Sequence, residues 1–400
     1  MTPEPLPPRS ITILWAMAYV VSGIGQPLIM TLCKEAGLAD SSAQLYMFFY
    51  YLGPAVLLVT LLVGDRQHRH QHHHHDDDDT QYSSLSQHQR IPRMAVVCQA
   101  SGIALYDLLA QSINYTGAGL AGPTVFAIIY SSVTIWTAVF SRLFLGRSIT
   151  TGQWMAIWVV FVGLALTGMD SIQIGPSVVR GTWLVAVGSM MHGSAYVWNE
   201  AIMTTASQPL SVRQNAAIQG TVACIVLGLW QLVYTRPHFD ALIGQPAKQA
   251  GTTLRMAVWI MWGFAAANLV HSVAFSHTLK YYPGGATSAG VMKGLQAVLV
   301  FVAAWIVYCG RVGGPEMCVS TAKVASLLTV AGGVVVFSIW TDKQSSTPRS
   351  FRGGEGMGQD AGAYEPIPDQ VGDELLLAEE LVVAATTTAT TATITAKDKV

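Results

Sequence analysis

Ten stretches of this chain of 400 residues are apolar for about the thickness of a lipid bilayer: 11–33, 43–63, 94–114, 120–141, 152–169, 182–203, 215–234, 256–278, 286–309 and 321–340. Roughly 20 mostly apolar residues suffice to cross the hydrocarbon core as a helix. Only a helix or a closed barrel satisfies its backbone there, which limits the fold sharply. Short breaks such as Thr116-Gly117-Ala118-Gly119 and Tyr282-Pro283-Gly284-Gly285 read as the turns between runs. Composition agrees: 51% of residues are hydrophobic and 11% are charged, against about 25% charged in soluble domains. A water-exposed globule and a wholly disordered chain are both excluded. The net charge of −1 leaves no basic footprint for nucleic acid. The expected fold class is an all-α integral membrane protein of ten transmembrane helices.

The first run sits where a signal peptide would. It lacks a basic n-region and a small-x-small cleavage site, so it reads as a retained helix. Lys and Arg set the orientation. With the N-terminus inside, 12 of them fall in inside segments and 7 in outside ones, which makes both termini cytosolic.

Sliding the chain on itself by about 164 residues superposes 125–147, VFAIIYSSVTIWTAVFSRLFLGR, on 289–311, AGVMKGLQAVLVFVAAWIVYCGR. Both end in Gly-Arg, and each is followed by a run with a late glycine, Gly163 and then Gly332-Gly333. The fourth and fifth runs thus match the ninth and tenth. Two five-helix halves follow, and an odd number of helices inverts the second half. The expected organisation is a cytosolic N-terminus at 1–10, a first repeat at 11–169 with a disordered loop at 64–93, a second repeat at 170–340 and a disordered cytosolic tail at 341–400. Inverted repeats are characteristic of alternating-access transporters, with the site near the midplane.

The loop sequence at 68–79, HRHQHHHHDDDD, invites a metal reading. A zinc transporter would also need His/Asp pairs inside its spans, and no span holds one at i,i+4. The loop is therefore read as solvated and disordered. The tail carries a short amphipathic patch at 373–383, and Tyr82 and Tyr364 begin four-residue sorting-like patterns. The sequon Asn114-Tyr115-Thr116 falls too close to the membrane to be a confident glycosylation site. Cys98 and Cys224 read as core residues. Cys33, Cys309 and Cys318 fall at the outer face, where a Cys309–Cys318 bridge is allowed but not required by the sequence.

Three formally charged residues lie inside the spans: Asp107, Glu200 and Lys293. Such groups normally face a cavity or a partner. Lys293 lies on a helix with small residues Ala286, Gly290 and Gly294 along one stripe, and Gln296 follows one turn on. An ammonium there would suit a phosphate; an ion pair with Glu200 or Asp107 is the structural alternative. Further one-sided polar stripes are Trp15, Tyr19, Ser22 and Gln26; Tyr106, Asp107 and Gln111; His192, Tyr196, Asn199 and Glu200; and Asn268 with His271. They read either as ligand contacts or as polar glue between helices.

The chain resembles the drug/metabolite transporter superfamily, and within it the nucleotide-sugar transporters (solute carrier 35-like proteins). Three segments carry the resemblance. LFLGRSITTGQW is similar to that family's "LgR-lt-xQW" turn. HGSAYVWNE at 192–200 resembles "SGxAxVYxE" and puts Glu200 on the family glutamate. VMKG at 291–294 resembles "xLKG" and puts Lys293 on the lysine implicated in holding the nucleotide phosphate. Two departures stand out: Lys280-Tyr281 is followed by PGGATSAG where the family has "KYADN", and the fourth span has Tyr130-Ser131-Ser132 where the family has a basic residue.

The expected function is secondary transport, by exchange, of a small anionic or nucleotide-linked metabolite. Lys293, Tyr19, Tyr196, Asn199, Asn268 and Gln296 are the expected substrate contacts, and Asp107, Glu200 and His271 the ion-pair or proton-coupling candidates. No metal site, cofactor or catalytic constellation is expected, and no G-x-x-x-x-G-K-[ST] phosphate loop occurs. Expected partners are a small-molecule substrate and the bilayer, not nucleic acid, with a homodimer left open. The resemblance implies Golgi or other endomembranes rather than the plasma membrane. Two alternatives are a proton-coupled exporter of the same superfamily, with Asp107 carrying the proton, and a membrane metal sensor or scaffold using the His-rich loop.

Overall fold

The computed structural model describes residues 7–72, 94–146, 149–206, 209–282, 285–310, 318 and 320–346. Among these residues all regular structure is helical. The main helices are α1 (Arg9–Glu35), α2 (Leu45–His72), α3 (Met94–Tyr130), α4 (Val133–Leu145), α5 (Thr151–Ile174), α6 (Pro176–Thr204), α7 (Val212–Trp230), α8 (Leu254–Tyr281), α9 (Ala286–Tyr308) and α10 (Thr321–Ser346). Short π-helical turns at Gln231–Thr235 and Asp240–Gly244, then a single turn at Gln245–Gln249, connect α7 to α8.

Among the described residues, six segments are long and apolar enough to cross a membrane: Ser10–Glu35, Leu45–Val63, Met94–Tyr130, Val212–Thr235, Leu254–Tyr281 and Ala286–Tyr308. Val133–Leu145, Thr151–Thr167 and Thr321–Phe337 are shorter apolar helices. α6 is long, but Arg180, Ser189, His192, Ser194, Asn199 and Glu200 dilute its apolar residues. The burial pattern is that of a bundle in lipid. On α1, Leu14, Met17 and Val21 point outward while Tyr19, Ser22 and Gln26 are buried. Apolar surface outside and polar groups inside leave water-filled or hydrogen-bonded space only at the centre.

The expected turn at Thr116–Gly119 is not a turn; α3 runs through it. Gly signals both a bend and a close approach, and here it serves the second. A Cβ on Gly117 would lie 2.8 Å from the carbonyl oxygen of Gly181 on α6, and one on Gly181 would lie 2.7 Å from the backbone N of Ala121. The break comes later. Gly122 is non-helical (φ 80°, ψ 162°) and precedes Pro123, which has no N–H to give to the preceding turn. A second interruption at Ser131-Ser132 separates α3 from α4, so the expected fourth span is a broken helix.

α3 packs along α6, α1 along α8, α2 along α7, and α5 along α10. The small-residue stripe of α9 seats two neighbours: Gly290 lies against Thr134 and Thr137 of α4, and Gly294 against Val334 of α10. Thr134 Oγ1 also donates to the Gly290 carbonyl at 2.6 Å. One end of the bundle, here called proximal, gathers the start of α1, the ends of α6 and α8 and the start of α9. The distal end gathers the end of α1, the start of α2, the end of α7 and the start of α8, tied by Thr252 Oγ1 to the Ala36 carbonyl and Thr235 Oγ1 to the Ala43 carbonyl.

Cys309 and Cys318 form a disulfide, and Lys323 Nζ donates to the Cys318 carbonyl at 2.9 Å. The other cysteines depart from expectation: Cys98 is exposed, Cys224 is half-buried, and Cys33, expected at the outer face, is fully buried. Asn114 is buried against Gly188 of α6, a position closed to glycan transfer. The side chains of the His/Asp-rich run at 68–79, the Tyr82 and Tyr364 patterns and the patch at 373–383 lie outside the described residues.

Candidate functional site

Two adjoining cavities occupy the middle of the bundle. One, of ≈ 20 Å³, is lined by Gly23, Gln26, Gln111, Tyr130, Lys293 and Gln296 among others. The other, of ≈ 40 Å³, is lined by Asp107, His192, Tyr196, Gln219 and His271, and shares Gln26, Gln111 and Tyr130 with the first. A water needs about 10–15 Å³ of such space, so the conformation is closed around room for a few waters. A metabolite enters only when helices separate.

Lys293 reaches this space from α9 and is 4% exposed. Its Nζ sits 4.9 Å from the ring centroid of Tyr19 and 5.4 Å from that of Tyr130, an aromatic seat for a cation. Tyr130 arrives there because α3 ends on it, at the Ser131-Ser132 interruption. Nζ also lies 3.4 Å from His271 Nε2. Ser22 Oγ donates to the Ala18 carbonyl at 2.6 Å, so it accepts from His271 Nδ1, 3.0 Å away. That leaves the Nε2 lone pair for the ammonium, and the network thereby assigns the tautomer. Among the described residues no carboxylate comes within 4.0 Å of Lys293, so the expected ion pair with Glu200 or Asp107 does not form.

Asp107 instead approaches His192, with Oδ1 3.2 Å from Nδ1. The approach is close but lacks hydrogen-bond alignment. Tyr51 donates to the other oxygen, Oδ2, at 3.4 Å. Glu200 lies elsewhere: its Oε2 accepts from the backbone N of Ala286 at 2.9 Å, a carboxylate cap on the start of α9. A Cβ on Gly285 (φ 52°) would strike that carboxylate. A negative group at a helix N-terminus is favourable in itself, which accounts for Glu200 without a role in the cavity.

The remaining expected contacts divide. Tyr19 and Tyr196 share a hydrogen bond of 3.3 Å between hydroxyls, and Phe275 packs against both rings at 5.7 and 4.4 Å. These three rings close the cavity on its proximal side. Gln296 donates to the Tyr19 carbonyl at 2.9 Å and fits over Gly23. Asn199 donates to the Ala195 carbonyl and accepts from Gln219. Asn268 accepts from Gln26 at 2.9 Å and donates to the Tyr50 carbonyl at 2.8 Å. Asn199 and Asn268 are thus glue that positions Gln219, Gln26 and Tyr50, rather than cavity lining. Tyr50, Tyr115 and Phe264 stack edge-on to one another on the distal side.

Sequence reasoning missed Tyr50, Tyr51, Gln219 and Phe275. A glutamine within an apolar run could have marked Gln219; the aromatic residues carried no distinguishing signal. Gln111 donates to Tyr50 Oη at 3.1 Å, while its buried Oε1 has no partner among the described residues. Among those residues, no group of three or more His, Cys, Asp or Glu is placed to hold a metal ion.

Apolar helices around a small, charged central cavity define a multi-pass membrane protein with a polar, water-sized centre. Comparison with known proteins makes the class specific: residues 76–169 match the EamA-like transporter family. Solute carrier family 35 member F6 from Rattus norvegicus and from Mus musculus is 26% identical over 134 residues, 32% of this chain and 35% of theirs. The protein of that name from Homo sapiens is 32% identical over 69 residues, 17% of this chain and 19% of its own. The chain spans about a third of the length of the first relatives it matches. A solved crystal structure covers 85% of this chain at 15% identity, with a TM-score of 0.42. The chain carries an EamA-like transporter segment, and the resemblance to the drug/metabolite transporter superfamily holds. The family matched is one of transporters, not of enzymes.

Proposed function

We propose that the protein is a secondary transporter of small anionic or nucleotide-linked metabolites, working by alternating access between two inverted five-helix halves. Reciprocal packing supports the repeat. On α5, Gly163 meets Val330 and the Ser326 carbonyl of α10; on α10, Gly333 meets Val160 and the Ala156 carbonyl of α5. The α3–α6 and α1–α8 pairs, and the α4–α6 and α9–α1 pairs, correspond in the same way. The Cys309–Cys318 bridge supports an oxidising lumen at the distal end of α9. Cytosolic termini follow from that orientation, and the endomembrane reading rests on the resemblance to nucleotide-sugar transporters.

One observation carries the substrate reading: Lys293 is a buried ammonium beside a cavity, in contact with neutral groups and, among the described residues, with no carboxylate within 4.0 Å. An isolated buried charge is costly, and an anionic ligand relieves that cost. Gln111 Oε1 is available to accept from a ligand hydroxyl or amide. In proteoliposomes, Lys293→Ala is expected to lower uptake of radiolabelled UMP or UDP-glucose by about 10–100-fold, the worth of a charge-assisted hydrogen bond. An unchanged elution profile on size exclusion checks that the variant folds. Undiminished uptake overturns the assignment.

A further inference from the structure

Among the described residues lining the two cavities, Asp107 and Lys293 are the ones with a formal charge. They do not touch. Asp107 approaches a histidine across the α3–α6 seam; Lys293 approaches one on the neighbouring α8, which is itself held across the α1–α8 seam. On the α1–α8 seam the contact is Ser22 with His271, and His271 serves Lys293. On the α3–α6 seam the corresponding contact is Asp107 with His192. The first pair has no acid. The second sets a carboxylate 3.2 Å from an imidazole, both largely buried, without an aligned hydrogen bond.

This arrangement is balanced only without substrate. Asp107 and Lys293 together are neutral across the shared space. An anion on Lys293 uses up the ammonium and leaves the carboxylate facing a like charge in a low-dielectric cavity. A proton on the carboxylate–imidazole pair offsets one negative charge of the ligand. The other titratable groups facing the pair are Tyr51 on α2, hydrogen-bonded to Oδ2, with Tyr50 beside it, Tyr130 against His192, Tyr196 on α6, and His271 and Lys293 across the cavity. None is a second carboxylate, so charge compensation on binding an anion falls to Asp107 and His192.

We infer that Asp107 and His192 form a proton-binding pair that loads one proton with each substrate anion, making the protein an anion–proton symporter. The inference rests on the anion site at Lys293. Asp107 Oδ1 or His192 Nδ1 takes the proton on the side where substrate enters and releases it on the side where substrate leaves. No covalent chemistry accompanies the step.

Two measurements test this with the full chain. Infrared spectra of the reconstituted protein, recorded as pH is lowered, are expected to gain a protonated-carboxyl band that is absent in Asp107→Asn and shifted in His192→Gln. In proteoliposomes the membrane potential is clamped at zero by valinomycin and equal potassium, since UMP with one proton still carries net negative charge. An outside-acid gradient of one pH unit is then expected to drive accumulation of radiolabelled UMP up to about tenfold, with alkalinisation of the medium reported by a pH dye. Accumulation that ignores the gradient in the wild type, or a spectrum unchanged by Asp107→Asn, overturns the inference. Lys293→Ala keeps the Asp107 band but loses uptake. If that variant transports normally while uptake remains gradient-driven, the anion site is wrong and the coupling stands.

Discussion

The α3–α6 and α1–α8 seams both border the central cavities but are built differently. α3 and α6 approach backbone to backbone at Gly117 and Gly181, with Gly188 against the Asn114 side chain, and add the Asp107–His192 and Tyr106–Ser194 contacts. α1 and α8 meet through side chains: Trp15 stacked on His277, Tyr19 against His271, Ser22 with His271, and Gln26 with Asn268. Small residues let helices approach and interlock, and such contacts lack intermediate arrangements. Polar side-chain contacts can exchange partners as helices slide. We expect the glycine-packed α3–α6 seam to hold and the α1–α8 seam to yield when the cavity opens, and the latter also holds the histidine that steadies Lys293.

Breaking the fixed seam has the largest expected effect. Gly181→Leu sets a side chain against the backbone of Ala121 and Gly117, and overpacking of that kind costs about 3 kcal/mol or more. The expected outcome is loss of the monodisperse peak and a lowered melting temperature; a normally folded variant would show that the seam is not tight. On the yielding seam, Asn268→Leu leaves Gln26 Nε2 and the Tyr50 carbonyl without their partner. An orphaned buried polar group costs about 1–3 kcal/mol, so the protein still folds but melts earlier. The smallest effect belongs to Ser22→Ala. It frees His271 Nδ1 at about 1 kcal/mol and lets the imidazole turn away from Lys293. A raised KM for the anion with little change in melting temperature is expected. A loss from Gly181→Leu no larger than that from Asn268→Leu would erase the distinction.

Part of this site was legible from sequence because ionisable residues in apolar runs are costly. Lys293 and Asp107 stood out for that reason, and Tyr19, Ser22 and Gln26 as a one-sided polar stripe; Lys293, Asp107 and Gln26 line the cavities, and Tyr19 and Ser22 are buried beside them. Glu200 stood out by the same rule yet caps α9, since a helix terminus and a cavity stabilise a carboxylate equally well on paper. Tyr50, Tyr51 and Tyr130 were invisible because a tyrosine in a span can face lipid headgroups, core or cavity without change of pattern. Thr116–Gly119 was misread because glycine at a turn and glycine at a helix contact look alike in one dimension.

The chain's hydropathy alone determined the class of fold: bilayer-length apolar runs must be helices, since the backbone has no other partner in lipid. Its pattern of rare charges also nominated the residues that face inward. Tertiary structure decided which of those charges meet. Pairing of Asp107 with His192, seating of Lys293 over Tyr19 and Tyr130, and diversion of Glu200 to a helix start all depend on helix rotation and crossing. Those are set by glycine contacts between distant segments, which hydropathy does not encode.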